Sequence, residues 1–327
     1  MLSCIKGFQM RRLSWLLLMA SVLAISAESE ELAATASSPY DLATYVQAHH
    51  SFDWRPLWRA LGIKDESVFL PPCEENLRGV PPCSSELITI SDPRQLIVLL
   101  EHWESSFQAF LCYKNVSPNR WRFSGAYAPN VKYFRPEHRI LRFSAKPFLV
   151  ITEQGISGSG VSSKVESWID LTGEDFSPVL SFTSEGQYSA FPDGISRKVF
   201  AFVTSMAAQP AERIQLTMNV KFAAEDVSHS IPLGRRSDRI VYVRSGSDSF
   251  KLVPGLSTAT PDEIEKFYEV QDTEASDEEF LKFHYKGLVA LAKGQDEKVR
   301  SWLLAFTERH RDSTEAKELE SLLVANH

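Results

Sequence analysis

The decapeptide RIQLTMNVKF constrains this chain more than any other stretch. Ile214, Leu216, Met218, Val220 and Phe222 alternate with Arg213, Gln215, Thr217, Asn219 and Lys221, and only an extended strand turns a period of two into one apolar and one wet face. WRFSGAY reads the same way, with Trp121, Phe123 and Tyr127 on one side and Arg122, Ser124 and Ala126 on the other. ELITI, QLIVLLE, FQAFLCY, RILRF, FLVITE, KVESWIDL, VLSFT, KVFAFVT, RIVYV and SFKLV supply further strands. The linkers between them carry Gly, Pro, Asn, Asp and Ser and are mostly too short for crossover helices, so the strands are expected to pair antiparallel. The predicted fold is α+β. Its centre is an antiparallel β domain over 86–256, which the sequence leaves open as a curved meander, a sandwich or a barrel.

The ends of the chain read differently. Lys6, Arg11 and Arg12 precede an apolar run from Leu13 to Ala24, small residues and then abrupt acids, which is the order of a secretory signal peptide over residues 1–27. That run falls short of the roughly 20 residues that cross a bilayer, and no later segment comes closer, so a mature chain without a transmembrane segment is expected outside the cytosol, periplasmic or secreted. Residues 28–38 are acidic and small, as in a flexible leader. Residues 39–85 start with two helical pieces, PYDLATYVQAHH and DWRPLWRALG, the second placing Trp54, Leu57, Trp58 and Leu61 on one face before Gly62 stops it. The formal charge of the whole chain is -7, and removing the leader with its three cations and no acids takes it to -10. Such an acidic chain exerts no general pull on phosphate backbones, so nucleic acid is not an expected partner.

Export bears on the cysteines. Cys73 and Cys83 in PPCEENLRGVPPC are too far apart for a zinc knuckle, and no C-x-x-C redox pair is present. In an oxidising compartment a Cys73–Cys83 disulfide is expected, with free or otherwise paired thiols as the alternative. A loop of this size stabilises the fold by about 2 to 3 kcal/mol. Cys112, in a strand-like run, is expected to be a buried, inert thiol.

Beyond LSTATPDEIEKFYEV the helical period returns over 257–327. Leu281, Tyr285, Leu288 and Ala292 form one stripe, Val299, Trp302, Leu303 and Phe306 a second, and Ala316, Leu319 and Leu323 a third, which Asp312 and Glu315 are placed to cap. Within 277–325, HYKGLVALAKGQDEKVRSWLLAFTERHRDSTEAKELESLL resembles a tetratricopeptide-type unit, with Gly287, Gly294, Val299, Leu303 and Phe306 where that repeat places small and apolar packing residues. The resemblance implies a protein-contact surface on these helices. Ala290 departs from the usual aromatic and no second repeat precedes it, so a lone unit is expected to pack on the β domain.

Local motifs for chemistry fail one by one. EQGISGSGVSSKVESW offers Ser157 and Ser159 among its glycines as anion donors, but a phosphate loop starting at Gly155 would need lysine at Val161, and a hairpin connection accounts for the stretch as well. His49, His50 and Asp53 do not converge from one helix end, and neither a metal nor a cofactor is expected. Arg235 and Arg236 are cations able to grip an anionic group, and Trp168 is a ring able to stack on a ligand. The sequence therefore points to an exported, non-catalytic binding or scaffolding protein of unspecified ligand. The alternative is a hydrolase outside the cytosol using carboxylates such as Asp170, Glu174 or Asp193 at a loop edge of the sheet.

Overall fold

The computed structural model describes residues 31, 34–49, 54–64, 83–90, 94–102, 107–131, 134–143, 145–173, 175–189, 195–225, 230–246, 249–269, 276–294 and 296–325. The expected signal peptide, His50, Asp53, Cys73, Glu174 and Asp193 lie outside the described residues, and of Cys83 only the backbone belongs to them. The fold is α+β. Twelve antiparallel strands form one sheet of four and one of eight, and among the described residues neither closes into a barrel. Contacts divide the chain into two compact units, Met1–Val131 with Glu174–Ser177, and Lys132–Gly173 with Pro178–His327.

In the first unit, α1 (Pro39–Ala48) and α2 (Arg55–Ala60) accompany a meander of β1 (Cys83–Thr89), β2 (Gln95–His102), β3 (Phe107–Ser117) and β4 (Arg120–Tyr127). Ser38 caps α1 by accepting from the Asp41 amide. The α2 face read from the sequence is the buried one: Trp54, Leu57 and Trp58 share a core with Leu42, Val46, Val98, Leu100 and Leu111, and the two indoles stack 5.4 Å apart. Gly62 ends the helix, its amide bonding Arg59 O while that of Ile63 bonds Trp58 O. Ala36 is buried in this core and its carbonyl accepts from the Tyr113 hydroxyl, so packed chain starts inside the acidic stretch read as a leader.

The two-sided reading of WRFSGAY needs one correction. Ser124 is an extra residue opposite the step from Cys112 to Tyr113, and this bulge shifts the alternation. Trp121 and Phe123 therefore pack on the core before it, and Ala126 does so after it. Cys112 is buried and unpaired, and burial pushes its thiol up to about 12 against the opposing pull of Lys114.

The second unit is an uninterrupted meander of β5 (Glu137–Phe143), β6 (Lys146–Gly158), β7 (Val161–Asp170), β8 (Pro178–Tyr188), β9 (Ile195–Ala207), β10 (Glu212–Glu225), β11 (Ser230–Arg244) and β12 (Lys251–Leu252), each pairing with its neighbour in sequence. The glycine-rich stretch is ladder rather than loop, because β6 and β7 run through it to the two residues Ser159 and Gly160. Gly160 has φ 82°, and a Cβ there would stand 2.7 Å from Ser189 O. The alternation in β10 is borne out: Ile214, Leu216, Met218, Val220 and Phe222 are all buried, each by about 1.5 to 3 kcal/mol of apolar transfer.

Against that face pack α3 (Asp277–Ala292), α4 (Glu297–Arg309) and α5 (Thr314–Ala325). Their three sequence stripes join the sheet core through Leu281, Leu288, Val299, Leu303, Phe306 and Leu319. Ser276 and Glu279 close a capping box on α3, and Asp296 accepts from the Lys298 and Val299 amides at α4. At α5 the cap is Ser313, not Asp312, since its hydroxyl accepts from the Ala316 amide. A thiol-reactive dye at about pH 8, read by peptide mapping, is expected to leave Cys112 unmodified in the native chain and to label it fully in denaturant. Labelling of native Cys112 at the rate of a free thiol would contradict its burial.

Candidate functional site

Asp170 ends β7 with both carboxylate oxygens taken. Oδ1 accepts from the Thr172 amide at 2.8 Å and its hydroxyl at 2.7 Å, and Oδ2 accepts from the Arg244 guanidinium at 2.6 Å. Asp170 and Arg244 are 3% and 1% exposed. Burial alone would raise this carboxyl, but the Thr172 bonds and Arg244 outweigh it and hold the group below the usual carboxylate range. Glu212 lies 3.6 Å from Arg244 and 2.7 Å from Lys146, so the charges of β6, β7, β10 and β11 interlock at one end of the sheet. This arrangement offers a substrate no free oxygen of Asp170. Its proposed companions Glu174 and Asp193 lie outside the described residues.

Trp168 is fully buried and donates its indole N–H to Glu166, which also accepts from Arg139. Its ring belongs to the core. Ser157 lies opposite Ser162 in the β6–β7 ladder, and Ser159 sits in the turn. On the C-terminal helices, Val324 is the one large apolar side chain left exposed among the described residues, so a partner there would meet a largely polar surface.

Arg235 and Arg236 are separated by the pleat. Arg236 turns toward the helices: its guanidinium lies 3.6 Å from the centre of the Phe283 ring, donates to Phe283 O at 2.9 Å and bonds Asp238 at 2.7 Å. Asp238 is buried and also accepts from the Tyr268 hydroxyl and from Thr258. His284 sits among Phe222, Phe280 and Phe283, with its Nε2 buried and unbonded. Burial, reinforced by Arg236 and opposed by Asp238, pushes the imidazole from its ordinary 6.5 down to about 3. This cluster is a clasp between sheet and helix.

Arg235 belongs to the opposite, open face. Facing residues in an antiparallel ladder share a face. The register therefore aligns Ser162, Gln187, Lys198, Lys221 and Arg235 in one row across β7, β8, β9, β10 and β11, and all five are exposed. The next row is Lys164, Glu185, Phe200, Asn219 and Ser237. Lys198 faces Lys221 and Lys221 faces Arg235, and no carboxylate among the described residues is within ion-pair distance of the three. Glu185, the acid in the second row, is neutralised by Lys164 at 2.9 Å. Within β11, Leu233 is the extra residue of a bulge opposite Phe222 and Ala223, and Gly234 next to it has φ 136°.

The β7–β9 end of this face sinks into a depression of about 340 Å³ lined by Gln154, Ser162, Lys164, Glu185, Gln187 and Phe200. Phe200 and Phe202 are 38% and 51% exposed, unusual for rings of that size, and the Lys221 ammonium lies 5.8 Å from the Phe200 ring centre. Lys198 and Lys221 escape sequence reading because they belong to different strands, β9 and β10. Only the pairing register brings them together. Comparison with protein-family models, with curated proteins and with solved structures returns no match.

The clasp makes a pH prediction. His284 is neutral in the folded chain at any pH well above 3, whereas the unfolded chain takes up a proton below 6.5. Stability is therefore full above 6.5 and falls as the pH drops toward 3, by about 2 kcal/mol at about pH 5. Denaturant titrations across that range should show the slope, and His284→Phe should flatten it. An unchanged slope in the variant would refute the assignment.

Proposed function

We propose that this chain is an exported, non-catalytic binding protein that holds an anionic ligand on the open face of its eight-stranded sheet. The observation that carries this reading is the row Lys198, Lys221 and Arg235, three like charges facing one another on adjacent strands without an acidic partner among the described residues. Like charges directly opposite one another destabilise a sheet, so the arrangement costs stability wherever no anion fills it. The helices bury one face of β9, β10 and β11, and Lys198, Lys221 and Arg235 stand exposed on the opposite face of those strands. The saturated carboxylate of Asp170 favours binding over hydrolysis.

Export and the Cys73–Cys83 bridge belong to the same reading and rest on the leader pattern and the thiol spacing. Mass spectrometry of the chain recovered from its native source is expected to show an N-terminus near Glu28 and, without reductant, a cross-linked Cys73–Cys83 peptide. An intact leader with both thiols free would reject both points. The binding face is tested on a dextran sulfate resin: the mature chain should be retained at low salt despite its net negative charge and released by salt. The triple variant Lys198→Gln, Lys221→Gln, Arg235→Gln should flow through. Wild-type chain that flows through, or a triple variant that is retained equally, would overturn the proposal.

A further inference from the structure

We propose that the ligand is a linear acidic polysaccharide lying across β7 to β11, an inference that rests on the anion-binding reading above. Strands in a sheet stand about 4.8 Å apart, so the row from Ser162 to Arg235 is about 19 Å long and its three cations cover about 10 Å of it. A single compact anion would engage one or two of these positions. A chain of regularly spaced acidic groups engages them all.

The residues between and beside the cations define what else the chain carries. Ser162, Gln187, Asn219 and Ser237 are neutral groups that both donate and accept, suited to hydroxyls rather than to further charge. Phe200 and Phe202 expose their rings in the adjoining rows, and the apolar face of a pyranose ring packs on an aromatic surface. The depression at the β7–β9 end falls at the lower limit of ligand-pocket size and has room for a terminal sugar. A lipid surface would be met by cations around an apolar tip, but here Glu185 and the neutral side chains occupy the middle of the face.

Calorimetry with the mature full chain separates these possibilities, using a hexameric oligogalacturonate, a chondroitin sulfate hexasaccharide, the methyl-esterified oligogalacturonate, polyphosphate and phosphatidylglycerol vesicles. At least one acidic hexasaccharide is expected to bind in a salt-sensitive manner, and the uncharged ester to bind at least roughly tenfold more weakly than the oligogalacturonate if that is the one bound. Phe200→Ala should weaken the bound hexasaccharide by roughly tenfold while leaving polyphosphate unaffected. Phe200→Tyr, which keeps the ring, should restore binding, and an unchanged denaturation midpoint confirms that the alanine variant is folded. Polyphosphate bound as tightly as the saccharides, with Phe200→Ala silent, would overturn the polysaccharide and leave the anion face standing. Vesicle binding without saccharide binding would replace it with a membrane surface. No binding to any charged probe would remove both proposals.

Discussion

The register of β9, β10 and β11 is the constraint on which the rest of the second unit depends. Side chains alternate across a strand, so one register decides both faces at once, and a slip of one residue would exchange them. Burial of Leu216, Met218, Val220 and Phe222 against the helices fixes that choice with several kilocalories per mole. The opposite face inherits its pattern as a consequence. Lys198, Lys221 and Arg235 face one another because the apolar residues between them have been satisfied elsewhere.

The helices contribute by covering one side of the sheet. Their stripes enter the sheet core, and the clasp of Arg236, Asp238, Tyr268 and Thr258 fixes the approach of the chain leading into α3. Phe283 adds a ring beneath the Arg236 guanidinium, so a cation and its counter-charge meet at the seam between sheet and helix. Arg235 and Arg236 thus do different work one residue apart. The second anchors the fold, and the first stands exposed on the opposite face of β11.

The strands were legible because their apolar periodicity is strong and turn residues punctuate it: RIQLTMNVKF and KVFAFVT lie within β10 and β9. The helical stripes were legible for the same reason. Alternation failed at Ser124, where a bulge adds a residue that no local pattern announces, and capping shifted from Asp312 to Ser313, a neighbour with equal capacity to accept. Asp170, in the sequence a candidate carboxylate at a loop edge of the sheet, is buried against Arg244, a partner 74 residues away. The cation row was illegible from sequence because its members come from three strands, and only the pairing between strands makes them neighbours.

A stability measurement on Lys221→Gln tests the central claim most directly. If Lys221 stands between two like charges, neutralising it should stabilise the ligand-free fold by roughly 0.2 to 1 kcal/mol at low salt. The gain should fade at about 1 M salt, where screening acts within about 3 Å. A loss of stability at low salt, persisting in a Phe200→Ala background that removes the ring 5.8 Å from Lys221, would mean that Lys221 has a favourable partner in place of Lys198 and Arg235, and would contradict the register that the account relies on.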